Sequence, residues 1–560
     1  MYPSFKYTRT TMKKILLPAL LACAVATTAP VSQARAQTVC PAAPTATVVS
    51  GNITQNTTWS SANVYLLSGF VYVKAGATLT IPAGTIIKGD KATKGSLIVE
   101  QGARLIAEGT ASQPIVFTSN EPAGSRARGD WGGIIICGRA PVNLAGTPVV
   151  EGGVGSTYGG TDANDNSGSL KYVRIEFPGI AFQPNSEING LTLAGVGAGT
   201  QIDYVQVYGS GDDSFEWFGG TVNAKHLVAV AATDDDFDTD NGFQGKVQYG
   251  LIVREQNTAD VSGSTAFESD NDAGGSANTP QTAPIFSNVT ALLRTPIGAA
   301  ANFTRAMHLR RNTSISIFNT VLSGWPTGLT LDGAAAQANA TNGGLVLKNN
   351  VLANMTTRNF EAAGVTTYDV AGFWNAAANS NTVYSTATDL GLNAGNFTPD
   401  ADVIQDFLPT STSPLRTGAA FTDAKLADSF FEKTGTFRGA FGTVNWVAGW
   451  TNFNPQTTCY NRPGITLAAK AASDQLQQLT VSPNPSAGQA SLNFELKRSG
   501  TASVRVLDVT GRTVATVLTD GKLAAGTQQV ALPTTLQAGV YMAQIITNET
   551  SQSVRFVVAK

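Results

Sequence analysis

The sequence predicts an all-β protein: a parallel β-helix, meaning a solenoid of stacked coils, followed by a small C-terminal β-sandwich. Three observations carry this. Fifty-seven glycines and 24 prolines in 560 residues punctuate the chain too often for long helices, while 42% hydrophobic residues are too many for disorder. From about residue 50, short β-branched runs recur every 22 to 32 residues. From residue 479 the pattern changes to alternating strands separated by turn signals.

Only 14% of the chain is charged, against about a quarter in ordinary domains. The net charge of −2 supplies no global field for nucleic acid, so a nucleic-acid partner is not expected. With two histidines and four cysteines, any metal should be a hard, oxygen-bound one.

Residues 1–36 read as a secretory signal peptide. Lys6, Arg9, Lys13 and Lys14 precede an apolar run from Ile15 to Val31, and cleavage falls between Ala36 and Gln37. No other apolar stretch approaches a membrane span. Of the cysteines that remain, Cys137 lies in an apolar run and reads as buried packing. Cys40 and Cys459 flank the main domain and either pair or stay as two thiols.

Residues 37–400 carry the solenoid. Val73-Lys-Ala-Gly76-Ala77-Thr-Leu79 returns as Val99-Glu-Gln-Gly102-Ala103-Arg-Leu105, Leu170 to Ile175 returns as Ile202 to Val207, and Phe318 to Leu322 returns as Lys348 to Leu352. One such coil encloses nothing, so each must bury its apolar side against the next. Gly102-Ala103-Arg-Leu105-Ile-Ala107-Glu-Gly109-Thr110, followed by Pro114 to Thr118, resembles the N-terminal coils of the pectate-lyase-like superfamily. That resemblance implies a right-handed parallel β-helix. Residues 401–460 break the period and read as a cap on its open end, with a short helix near Asp423 to Lys433 and a cluster of aromatics that includes Trp446 and Trp450. A carbohydrate-stacking platform is one use for those tryptophans.

Residues 461–478 read as a linker and residues 479–560 as a separate β-sandwich. Its Pro483-Asn484-Pro485 opening, Gly511-Arg512, Ala538-Gly539-Val-Tyr541 and basic last residue Lys560 closely resemble the C-terminal sorting domain of the type IX secretion system of Bacteroidota. The resemblance implies the secretion machinery as a partner and a secreted or outer-surface destination.

Charge is concentrated in one segment: residues 203–272 hold fourteen acids and three bases. Gly211-Asp212-Asp213-Ser214-Phe215-Glu216 aligns with Thr233-Asp234-Asp235-Asp236-Phe237-Asp238 at a spacing of 22, and Phe267-Glu268 repeats the final pair. Stacked coils place the phenylalanines in an internal ladder and the acids in columns about 5 Å apart. Like charges at that distance repel by about 1 kcal/mol in water and more at a dry surface, so a counter-ion is expected. Calcium fits, with Asp212, Asp213, Glu216, Asp234, Asp235, Asp236, Asp238 and Asp240 as candidate ligands. Thr161 to Asn166 is a weaker second candidate, and plain solvation of the turns is the alternative to any metal.

An enzymatic reading places Asp212, Asp213 and Asp235 as catalytic carboxylates. Gly211-Asp212-Asp213 resembles the paired aspartates of polygalacturonase-type glycosidases, although the Gly-His-Gly of that family is missing. In a lyase, Arg254 is a candidate base beside a calcium-bound uronate. The functional expectation is a secreted or cell-surface β-helix protein binding extracellular polysaccharide or another surface ligand through its long lateral face. A calcium-dependent polysaccharide lyase or glycoside hydrolase is the alternative.

Overall fold

A computed structural model describes residues 40, 44–183, 186–398, 406–461, 476–496, 499–508, 513–547 and 551–559. The signal segment with Ala36 and Gln37, and most of the linker, lie outside the described residues.

Parallel strands from Thr47–Ile53 to Thr382–Tyr384 form one 26-stranded sheet wound into coils. The three sequence repeats stack in register: Val73 pairs with Val99 and Leu79 with Leu105, Leu170 with Ile202, and Val321 with Val351. The coil interior is apolar. Phe215, Phe237 and Phe267 stack in one column, with successive ring centroids 5.7 Å apart, and the column continues through Met307 and Leu329. Removing one such ring opens a cavity and costs about 3–5 kcal/mol.

Each long strand bends once, at a residue that drops out of the pairing. Tyr172, Tyr204, His226, Tyr249, Asn288, Asn319 and Asn349 occupy this corner, all with positive φ between 49° and 65°. Asparagine tolerates the left-handed region, and the aromatic residues are held there by each other. Tyr172, Tyr204, His226 and Tyr249 stack face to face with centroids 4.4, 4.1 and 5.1 Å apart.

Residues 406–461 lie along the side of the stack, over this corner, and not on its end. Side-chain amides projecting from successive coils grip their backbone. Gln206 bonds both the N–H and C=O of Asn452, Gln248 does the same to Glu432, and Asn319 to Ala420. Each amide supplies one donor and one acceptor, so it satisfies a backbone unit as a neighbouring strand would. The strap ends beside the first coils, where Tyr460 packs with Val64, Ile86 and Val116, and Cys459 forms a disulfide with Cys40. The expected cap is instead supplied by the short helix Val370–Asn375, whose Val370 and Trp374 seal the interior apolar cluster. The expected helix near Asp423 is a single 3₁₀ turn, Ala424–Leu426. Asp423 and Asp428 bond the backbone N–H groups of Lys425 and Phe430, which competes with helix propagation. Trp450 is 1% exposed and wedged against Tyr172 and Tyr204, so it offers no sugar platform.

The C-terminal unit consists of a three-stranded antiparallel sheet (Leu476–Ser482, Ser491–Leu496, Gly526–Ala531) and a four-stranded one (Gly500–Leu507, Thr513–Leu523, Gly539–Thr547, Ser551–Val558). Both contribute to one apolar cluster containing Leu492, Phe494, Val504, Ile545 and Phe556, which makes a sandwich with its own core.

Candidate functional site: an acidic outer face

The face opposite the apolar column is built from the same strands. Where Phe215, Phe237 and Phe267 point inward, their neighbours Glu216, Asp238 and Glu268 point outward, because successive side chains alternate. The pairing places Glu216 beside Asp238, Asp238 beside Glu268, and Glu268 beside His308. Phe218 pairs with Asp240 two positions further on. Asp212–Glu216 and Asp234–Asp238 therefore lie on adjacent coils.

Carboxylate oxygens of Asp212, Asp213 and Asp234 lie within 4.8 Å of one another, and so do those of Asp213, Glu216 and Asp238. Asp213 belongs to both groups and is 6% exposed, as is Glu216. Oδ1 of Asp238 is shielded from solvent and accepts no hydrogen bond. Burial, and then the neighbouring carboxylates, push Asp212, Asp213, Glu216, Asp235 and Asp238 well above the ordinary carboxylate range. Asp234 is raised to about 6, by burial and then Asp260, and Asp240 to about 7, chiefly by burial.

Two expected site residues belong elsewhere. Asp236 and Arg254 are fully buried and pair with each other at 3.0 Å. Arg254 also donates to the carbonyls of Ala232, Asp234 and Thr265, so its guanidinium ties two turns together and has no path to a substrate proton. It is a structural cation, not a base. Asp235 and Asp240 sit at the margin and receive backbone N–H groups from Thr265 and Asn241. In the second candidate segment, Asp162 and Asp165 bond nearby backbone, accepting from Asn164 (3.0 Å) and Arg139 (3.2 Å).

Sequence reasoning missed the insertion that leans over this face. Loop residues on either side of the coil strand Gly168–Glu176 pack Val150, Val154, Tyr158 and Ile188 onto Ile98, Ile135 and Cys137, covering the earlier coils of the face. Cys137 is fully buried, and burial pushes its thiol up to about 12. The insertion brings Glu151 to Glu216 and carries Asn189, which donates to both carboxylates and accepts from the Asp213 N–H at 3.2 Å. Only the Asn189-Gly190 turn marked the spot in the sequence.

Beyond Asp238 the face changes character. Arg310 pairs with Glu268 and Asp270, and Arg311 with Asp270 at 2.7 Å. His308 stands between Glu268 (3.2 Å) and Asp332 (3.1 Å), and Arg358 pairs with Glu361 at 3.1 Å. Against the opposing effect of burial, His308, Arg310 and Arg311 hold the Glu268 carboxyl below its usual value. Among the described residues, Asp212, Asp213, Glu216 and Asp238 have no such ion-pair partner.

Stacked parallel coils bearing a polar, acid-rich outer face, with an antiparallel sandwich appended, define a parallel β-helix protein as a class. The family comparison is specific: a model described as the pectate-lyase-like beta helix domain matches residues 51–402, so the chain belongs to that family. Residues 480–559 match the secretion system C-terminal sorting domain, which makes this a secreted or outer-cell-surface protein that engages the type IX secretion machinery. No curated protein matches the chain. Among solved structures, the Dettilon tailspike protein gp208 aligns over 88% of this chain and 87% of its own, at 11% identity and a TM-score of 0.22. Among the described residues no helix is long and apolar enough to cross a membrane.

Proposed function

We propose that this protein binds an extracellular polysaccharide or another surface ligand on its acidic outer face, with calcium organising the carboxylates of adjacent coils. The observation that carries the reading is the pair of carboxylate groups sharing Asp213. They are hard oxygen donors, crowded and largely buried, and Asp238 keeps a shielded oxygen with no hydrogen-bond donor. Calcium suits this set because it takes six to eight oxygens in irregular geometry. Asp212, Asp213, Asp234, Glu216 and Asp238 would hold it, and Asp236 would not, being committed to Arg254. The lyase form of the enzymatic alternative is weakened, because its candidate base, Arg254, is locked into the fold, whereas the glycosidase form, which uses Asp212, Asp213 and Asp235, does not depend on it.

Metal analysis together with melting in calcium and in chelator tests the cation. Bound calcium and a melting temperature that falls on chelation are expected, and a calcium-free protein indifferent to chelator removes the metal. Retention on immobilised polysaccharides tests the ligand, and product analysis tests turnover. Shortened or unsaturated products that disappear in Asp213→Asn would restore the enzyme.

A further inference from the structure

We infer that the later part of the outer face, from Glu268 and Asp270 to Arg358 and Glu361, binds a neutral, hydroxyl-rich polysaccharide lying along the coil stack. This rests on the proposed glycan-binding reading and specifies which part of the molecule is used and for what chemical class. The strap covers the corner built by Tyr172, Tyr204, His226 and Tyr249, and the insertion covers the earlier coils of the acidic face. The later coils of that face keep half-exposed polar side chains: Arg358 at 53%, Arg311 at 42%, Asp332 at 35% and Glu361 at 31%.

Register sets their geometry. His308 pairs with Thr330, Thr330 with Glu361, and Thr327 with both Arg305 and Arg358, so each coil contributes to the same columns. The rise between coils is about 4.8 Å, close to the length of one pyranose unit.

Charge selects the class. Arg305, Arg310, Arg311 and Arg358 offset Glu268, Asp270, Asp332 and Glu361, so these eight side chains carry no net charge of their own with which to hold a polyanion or a polycation. Arg310, Arg311 and Arg358 are each engaged by a carboxylate of this strip, so a uronate would have to displace a partner that is already in place. A sugar hydroxyl both donates and accepts. It can take a hydrogen bond from a guanidinium and give one to a carboxylate while the pair stays intact. The ion pairs also fix the side chains before the ligand arrives, which lowers the entropic cost of binding.

Affinity electrophoresis of the full chain tests this in gels containing a soluble neutral β-glucan, a neutral mannan or polygalacturonate. Retardation by a neutral polymer, insensitive to added salt, is expected. It should weaken by about tenfold or more in Arg358→Ala and Asp332→Ala, which each remove hydrogen bonds made by a charged group. Asp332→Asn, nearly isosteric, guards against a folding defect and should give an intermediate loss. Retardation by polygalacturonate alone, abolished by salt, overturns the neutral class but leaves glycan binding standing. Neutral binding unchanged in all three variants overturns the location. Retardation by no polymer removes the glycan reading itself.

Discussion

Asp213 is the residue on which the two carboxylate groups turn, and its substitution separates cation binding from electrostatic strain. Asp213→Asn keeps the shape and removes one charge from a site where Asp212, Asp235 and Asp238 all press on it. In chelator, the variant should melt higher than the native protein because a buried like-charge repulsion is gone. In calcium the order should reverse, and calorimetric titration should show calcium affinity lower by about tenfold or more, as expected on loss of a charged oxygen ligand. Proton linkage gives a second readout. Asp234 and Asp240, ordinarily near 3.8, are raised to about 6 and about 7, so the folded state holds protons that the unfolded chain has released. Cation-free stability should therefore be greatest below about pH 4 with respect to these groups and decline as pH rises through about 7, above which the cost is fully present. Calcium should flatten that decline. A melting temperature that rises over this interval in chelator would contradict the electrostatic account.

Coils and strap differ in how far the chain's own pattern revealed them. The coil register was legible because a residue pair such as Phe215-Glu216 recurs as Phe237-Asp238 and Phe267-Glu268, and a period-two pattern assigns one member inward and the other outward. Arg254 and Asp236 lie where strands meet turns, and there alternation no longer decides direction, so their burial as a pair was invisible. The insertion has no period at all, which hid Glu151 and Asn189. The strap was misplaced for a related reason: what holds it are single amides such as Gln206 and Gln248, far away in sequence, and no local signal marks them. At this scale the disulfide is the test. Cys40 and Cys459 are 419 residues apart, so the bond closes nearly the whole β-helix into one loop. Replacing both with serine should cost about 2–5 kcal/mol, measured by denaturant unfolding. Limited proteolysis should then cut first between residues 450 and 461, ahead of any coil, with a red shift in tryptophan emission as Trp446 and Trp450 become wet.

The whole molecule combines two bodies with different jobs and separate apolar cores. In the β-helix, one apolar cluster runs from Trp59 and Tyr65 to Val370 and Trp374, so each coil is stabilised mainly by its neighbours and the stack should melt as one unit. The sandwich has its own cluster around Leu492, Phe494, Val504 and Ile545, which shares no residue with the first. Calorimetry of the full chain should accordingly show two transitions. The larger one should shift upward in calcium, because the carboxylate groups sit on β-helix coils, while the smaller should not move. Removing residues 479–560 should abolish the smaller transition, leave the calcium-dependent one in place, and stop the protein from reaching the cell exterior, since the sorting domain goes with it. A single transition in the full chain that splits or weakens on truncation would mean that the sandwich stabilises the coils directly.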